Sequence, residues 1–159
     1  MKLKNKQIIR NFGKILVVCY LGFLLYFLLL SEMYGRVGIK EEYAYNLELF
    51  KEIKRFWEYR EVIGSKATVM NLIGNVVVFI PFGVFLPMAS KYKSFIITIF
   101  YSFLLSLSVE VIQLIAKVGS FDVDDLLLNT IGGCIGYLVF LICRKIRRRH
   151  VSKKTEKRL

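Results

Sequence analysis

Between Asn71 and Tyr137 the chain carries three long apolar runs, each broken by polar residues that hydrocarbon tolerates poorly. They read NLIGNVVVFIPFGVFLP, FIITIFYSFLLSLSVEVIQLI and FDVDDLLLNTIGGCIGY. A run of roughly 18 apolar residues is long enough to cross a bilayer core of about 30 Å, so these are membrane-crossing lengths. The interruptions are the informative part, because a carboxylate or amide at such depth is costly unless it is paired or faces water.

A further run near the N-terminus brings the total to four, at residues 14–30, 68–88, 95–116 and 124–143. With 55% hydrophobic residues and a mean hydropathy of +0.50, the expected fold is an all-α polytopic membrane protein. It has four transmembrane helices plus a short extracytoplasmic amphipathic helix. A basic tail (1–13) precedes the membrane domain (14–143, including an outer link at 31–67), and a second basic tail (144–159) comes after it. Cys19, Cys134 and Cys143 fall inside apolar runs, where small buried side chains, not a disulfide framework, are expected.

The net charge of +12 suggests nucleic acid until the charges are placed. Lys2, Lys4, Lys6 and Arg10 precede the first span and Lys14 opens it, Lys91 and Lys93 sit between the second and third, and RKIRRRHVSKKTEKR comes after the fourth. With four spans these three segments share one side. In the link on the other side, Arg36, Lys40, Lys51, Lys54, Arg55, Arg60 and Lys66 are matched by seven glutamates. The positive-inside rule therefore places both termini of a multi-pass membrane protein in the cytoplasm. The basic C-terminal tail reads as a topology signal lying on anionic membrane lipids. No aromatic interleaving or folded module accompanies the charge, so no nucleic-acid partner is expected.

The first span, ILVVCYLGFLLYFLLL, succeeds its basic tail as a signal peptide would, but SEMYGR after it has no small-x-small cleavage pattern and an uncleaved anchor is expected. Gly22 is its one candidate for close helix contact. In the outer link, LELFKEIKRFWEYREVI places Phe50, Ile53, Phe56 and Trp57 at helical spacings among charged residues. This reads as an amphipathic helix lying in the outer interface with Trp57 at headgroup depth, and as a lid over the outer ends of the later spans.

In the second span Asn71 and Asn75 lie one turn apart on one face, and Pro81 in FIPFG should bend the helix or end its ladder. In the third, Glu110 lies about 22 Å from the inner end at 1.5 Å per residue, with Gln113 and Ser106 on the same side. The fourth begins with Asp122, Asp124 and Asp125, then Asn129 and Thr130; Gly132, Gly133 and Gly136 continue the stripe inward. Gly132 and Gly136 form a GxxxG pair that admits another backbone. More ordinary readings stand beside each of these: the asparagines as interhelical packing bonds, and Asp122 as a helix N-cap.

Because alternate spans run in opposite directions, Asn71, Asn75, Glu110, Gln113, Asp122, Asp124, Asp125 and Asn129 share one depth. An acidic, amide-lined pocket facing the extracytoplasmic side is therefore expected. Glu110 is the one candidate for acid–base chemistry, although no nucleophile accompanies it and His150 lies in the tail. Asp122 and Asp125 have a spacing that a divalent cation accepts, but acid-rich helix starts are more often caps. Neither a metal nor another cofactor is expected.

The ordered motifs NLIGNVVVFIPFG, SVEVIQ and GSFDVDDLLLNTIGGCIGY resemble the VanZ family of bacterial membrane proteins over residues 46–140. The resemblance implies that Asn71, Asn75, Pro81, Gly83, Glu110, Gln113, Asp122, Asp125, Asn129 and Gly132 are the family's typical positions. It further implies a link to low-level resistance to the glycopeptide teicoplanin. Where relatives carry a proline in an NLxPF element this chain has Leu49, and where they commonly carry an arginine before the aspartates it has Val118, Gly119 and Ser120. Three mechanisms are open. One is binding of an envelope lipid headgroup or a lipoglycopeptide drug. The second is an enzyme on an envelope lipid using Glu110, and the third a small-solute transporter, which with four spans requires a homo-oligomer.

Overall fold

The computed structural model describes residues 2–30, 42–59 and 65–156, without the side chains of 2–5, 27–30, Phe56, 65–71 and 151–156. Helix α1 covers Lys2–Leu30, α2 Lys51–Glu58, α3 Ser65–Ala89, α4 Phe95–Ile115 and α5 Val123–Glu156, with short strands β1 at Ala44–Asn46 and β2 at Ser120–Asp122. Among the described residues four helices are long and apolar enough to cross a membrane: Lys6–Tyr26, Leu72–Ala89, Phe95–Ile115 and Val123–His150. The protein is thus an all-α polytopic membrane protein. Large side chains such as Val18, Ile96, Ile115 and Ile142 stand on its outside, a surface suited to lipid and not to water.

The helices outrun the apolar runs. Lys and Arg are good helix formers, so α1 begins back in the basic tail and α5 continues to Glu156. Hydropathy marks where the bilayer ends, not where the helix does. Pro81 and Pro87 both lie inside α3, so the expected break at Pro81 does not end the helix. Proline denies the Val77 carbonyl its ladder donor, and one residue on, the Tyr20 hydroxyl donates to the Val78 carbonyl at 2.6 Å. Tyr20 thereby ties α1 to α3, beside a core of Leu24, Phe79, Phe82 and Val109.

Helix α5 packs between α3 and α4, and glycines set the distance. A Cβ on Gly132 would come within 2.1 Å of the Val76 carbonyl oxygen, and one on Gly136 within 2.1 Å of the Ile80 oxygen. On Gly83 it would come within 2.2 Å of the Gly133 oxygen. The two backbones are in contact, as small residues permit in membrane helices. Gly133 instead meets Ser102 of α4. The polar stripe of α5 therefore divides: Asp125, Gly132 and Gly136 face α3, while Asn129 and Gly133 face α4. In α1 the close contact is made at Gly13, against the backbone of Met88 and Ala89. Gly22, expected to make it, meets nothing within 4 Å.

At the opposite end from Gly13, β1 and β2 pair in parallel, with Ala44 beside Ser120, Tyr45 beside Phe121 and Asn46 beside Asp122. Strands this short carry no readable alternation, so hydropathy gives no sign of the pairing. It brings the segment before α2 onto the start of α5.

Valine at Gly83 should lower the thermal midpoint in detergent by the equivalent of at least about 1–3 kcal/mol, the usual cost of overpacking, because the atom it strikes is backbone. Gly22→Val should leave the midpoint unchanged, and equal midpoints for the two variants would count against the glycine seam.

Candidate functional site

The α2 end of the bundle gathers the polar residues, and hydrogen bonds account for the arrangement. Asp122 is the residue before α5, and its Oδ1 accepts the Asp124 amide at 2.8 Å, the geometry of an N-cap. The same oxygen accepts Nδ2 of Asn46 at 3.2 Å, and the Asp122 amide donates to Glu110 Oε2 at 3.1 Å. Asp122 so joins β1, α4 and α5. Burial raises its carboxyl above the usual range, opposed by the bonds from the Asp124 amide and Asn46.

Asp124 is 1% exposed and caps a helix other than its own. Phe50 stands before α2 in the left-handed region, with φ 66°, and its own side chain makes no capping bond. The Asp124 carboxylate takes that place, accepting the amides of Phe50, Glu52 (2.9 Å) and Ile53 (3.2 Å). Three of the donors that a helix start leaves unpaired converge on one anion, which also suits the positive end of the helix dipole. Glu52 is raised by burial, with Arg55 opposing and Asp122 and Asp124 adding to the effect.

Deeper, Asn75 Nδ2 of α3 donates to Asp125 Oδ1, and Asn129 Nδ2 of α5 donates to Ser106 Oγ of α4 at 2.8 Å. Gln113 is buried under the turn that leaves α4: a Cβ on Gly119 would lie 3.1 Å from its Cβ. That turn closes with Lys117 at φ 55°, its amide bonded to the Leu114 carbonyl and that of Val118 to the Gln113 carbonyl, a Schellman arrangement. Lys117 Nζ lies 4.7 Å from the Tyr43 ring centroid, a cation–π contact between this turn and the residue before β1.

The structure thus brings Asn75, Glu110, Gln113, Asp122, Asp125 and Asn129 to one end of the bundle, with Asn75 bonded to Asp125, Asn129 to Ser106 and Glu110 to the Asp122 amide. Asn71 lies in the first turns of α3, and its side chain falls outside the described ones. Among the described residues no group of three His, Cys, Asp or Glu side chains is disposed to hold a metal ion. Sequence reasoning misses Asn46, whose Oδ1 also accepts the Glu48 amide at 3.1 Å; its only signal is its place at the head of NLELF.

These features define a four-span membrane protein with acids and amides buried at one end of a glycine-packed bundle, beneath a short helix held by one carboxylate. The chain belongs to the VanZ/LLP1 family, whose model matches residues 5–144. It is similar to Protein VanZ of Enterococcus faecium, with 34% identity over 84 residues, 53% of this chain and 50% of that protein. The match spans about half the length of that relative. No solved structure matches the chain.

Replacing Asp124 by Ala should free the start of α2 while leaving the seam intact. A bond to a charged group contributes about 1.5–3 kcal/mol, so the amides of Phe50, Glu52 and Ile53 should exchange with deuterium about ten to a hundred times faster. Exchange in the middle of α3 and α5 should not change; equal acceleration there would mean that Asp124 supports the whole bundle.

Proposed function

We propose that the protein acts at the outer leaflet of the bacterial cell membrane, contributing to glycopeptide (teicoplanin-type) resistance or to cell-envelope homeostasis. It does so by binding an envelope lipid headgroup or a lipophilic drug at the α2 end. The observation that carries this reading is the Asp124 carboxylate. Buried, it accepts three backbone amides of a short helix, so it is already built to receive an amide-rich ligand. The ligand's own N–H groups take the place of those of Phe50, Glu52 and Ile53 as α2 lifts.

Two further features support it. Tyr43, Tyr45, Phe50, Trp57 and Tyr59 are exposed around this end, as aromatic side chains are at a membrane interface. An acyl tail attached to the ligand finds the apolar outside of the helices beside it. The orientation rests on charge: Lys6, Lys91, Lys93 and Arg147 stand together at the opposite end, which the positive-inside rule assigns to the cytoplasm.

Expression of the protein should raise the teicoplanin tolerance of susceptible cells several-fold and that to vancomycin, which lacks an acyl tail, much less. Glu110→Gln and Asp125→Asn should remove the gain at equal abundance in the membrane. No gain with the unaltered chain, or a gain that both variants retain, would dismiss a role for this end of the bundle.

A further inference from the structure

The basic end carries a cleft that the proposed function does not use. It has a volume of 740 Å³ and is lined by Lys6, Gln7 and Arg10 of α1, Lys91 and Lys93 of the α3–α4 link, and Arg147 of α5. Five cations from three segments face one space. Residues 2–14, 86–94 and 140–150 contain no Asp or Glu, and the ion pairs Lys51–Glu48 and Arg55–Glu52 belong to the other end.

Lys6, Lys91, Lys93 and Arg147 are exposed at the mouth of the cleft, and two of the cations, Arg10 and Lys93, are also engaged by the protein. Arg10 is oriented by a bond from its Nη2 to Gln7 Oε1, while its Nε is buried and has no hydrogen-bond partner among the described residues. A buried donor without an acceptor is costly, and here it belongs to a guanidinium lining a cleft. Lys93 is held in place from below: its carbonyl accepts the Tyr137 hydroxyl at 2.8 Å, and its Nζ lies 5.8 Å from the Phe140 ring centroid. Burial and then the like charges of Arg144, Arg147, Arg148 and Lys6 push its pKa down, the field that a bound anion relieves.

Next to the cleft, and sharing Ile9, Met88, Lys93 and Arg147 with it, is a narrower slot of 170 Å³ whose walls include Val84, Phe140 and Cys143. Cationic space therefore opens directly into apolar space at the edge of the spans. A free phosphate would use only the first; a lipid uses both. Basic pockets between membrane helices on the cytoplasmic side suit anionic headgroups for this reason.

We infer that this cleft is a discrete binding site for one anionic phosphodiester lipid. Its phosphate sits among Arg10, Lys93 and Arg147, and the start of one acyl chain lies in the slot by Val84 and Phe140. This site is independent of the α2 end and of which face of the membrane it occupies.

The full chain, purified in neutral detergent with added phosphatidylglycerol and washed in high salt, tests it. The Debye length falls to about 3 Å at 1 M, so diffuse attraction is suppressed. Native mass spectrometry should show about one retained phosphatidylglycerol per chain. Arg10→Gln with Lys93→Gln should weaken retention about twenty-fivefold, at roughly fivefold per cation. Lys145→Gln with Arg149→Gln removes the same charge from α5 two residues either side of Arg147, on the face turned away at about 100° per residue, and should leave retention unchanged. Equal loss in both pairs, or no lipid on the unaltered chain, would overturn the site. Glycerophosphoglycerol, the same headgroup without chains, should not compete at equal concentration. If it does, the cleft serves a soluble phosphate compound and the lipid assignment fails. Helix content by circular dichroism confirms that each variant is folded.

Discussion

A carboxylate taken into a helix bundle has to be given donors from within the protein, and the architecture of the α2 end comes from meeting that demand. Water is scarce there, and an unpaired buried charge costs several kcal/mol. Asp124 is supplied by the first amides of α2, Asp125 by Asn75, and Glu110 by the Asp122 amide. Each donor comes from a different segment, so satisfying the acids also decides which segments meet. Buried ionic groups add little net stability beyond what apolar replacements would give. Their contribution here is register: α2 and β1 have one place to sit.

That solution is available only because α3 and α5 touch. Their contact at Gly83, Gly132 and Gly136 brings Asn75 within reach of Asp125, since both pairs lie on the same faces a turn or two apart. The α4 side repeats the device, with Gly133 against Ser102 below and Asn129 bonded to Ser106 above. Positions 125, 132 and 136 are spaced by seven and four, and separately 129 and 133 by four, the offsets that return a helix to one face. One helix thus presents two parallel polar-over-glycine stripes and serves as the shared wall for both neighbours.

Much of this is legible in the sequence, and the part that is not has a physical reason. Span positions come from hydropathy, because a bilayer sets a minimum apolar length. The common depth of Asn75, Glu110, Asp122 and Asn129 comes from alternating direction. The stripe on α5 looks single in sequence because i, i+3, i+7 spacing spans an arc wide enough for two neighbours, and only packing divides it. Asp124 is visible as an acid, but its role as a cap for α2 is not: a cap supplied from more than 70 residues away leaves no local pattern such as S-x-x-E. The contact at Gly13 is obscured by hydropathy itself, since that residue lies just before the apolar run while α1 starts well before it.

The two ends of the bundle differ in a way that matters for how each binds anything. At the α2 end the acids already hold donors belonging to the protein, so the ligand proposed for it would have to exchange with them, at an affinity reduced by whatever it costs to lift α2. Such a site is selective: only a ligand offering several N–H groups in the arrangement of a helix start replaces all that is lost, because each unreplaced bond leaves a buried carboxylate oxygen short of a donor. At the basic end the lining cations face no acid among the described residues, so an anion adds without displacing a protein group and meets only the desolvation of its own charge. Occupancy of the proposed site would relieve the mutual repulsion of the cations on α1, the α3–α4 link and α5 at this end of the bundle.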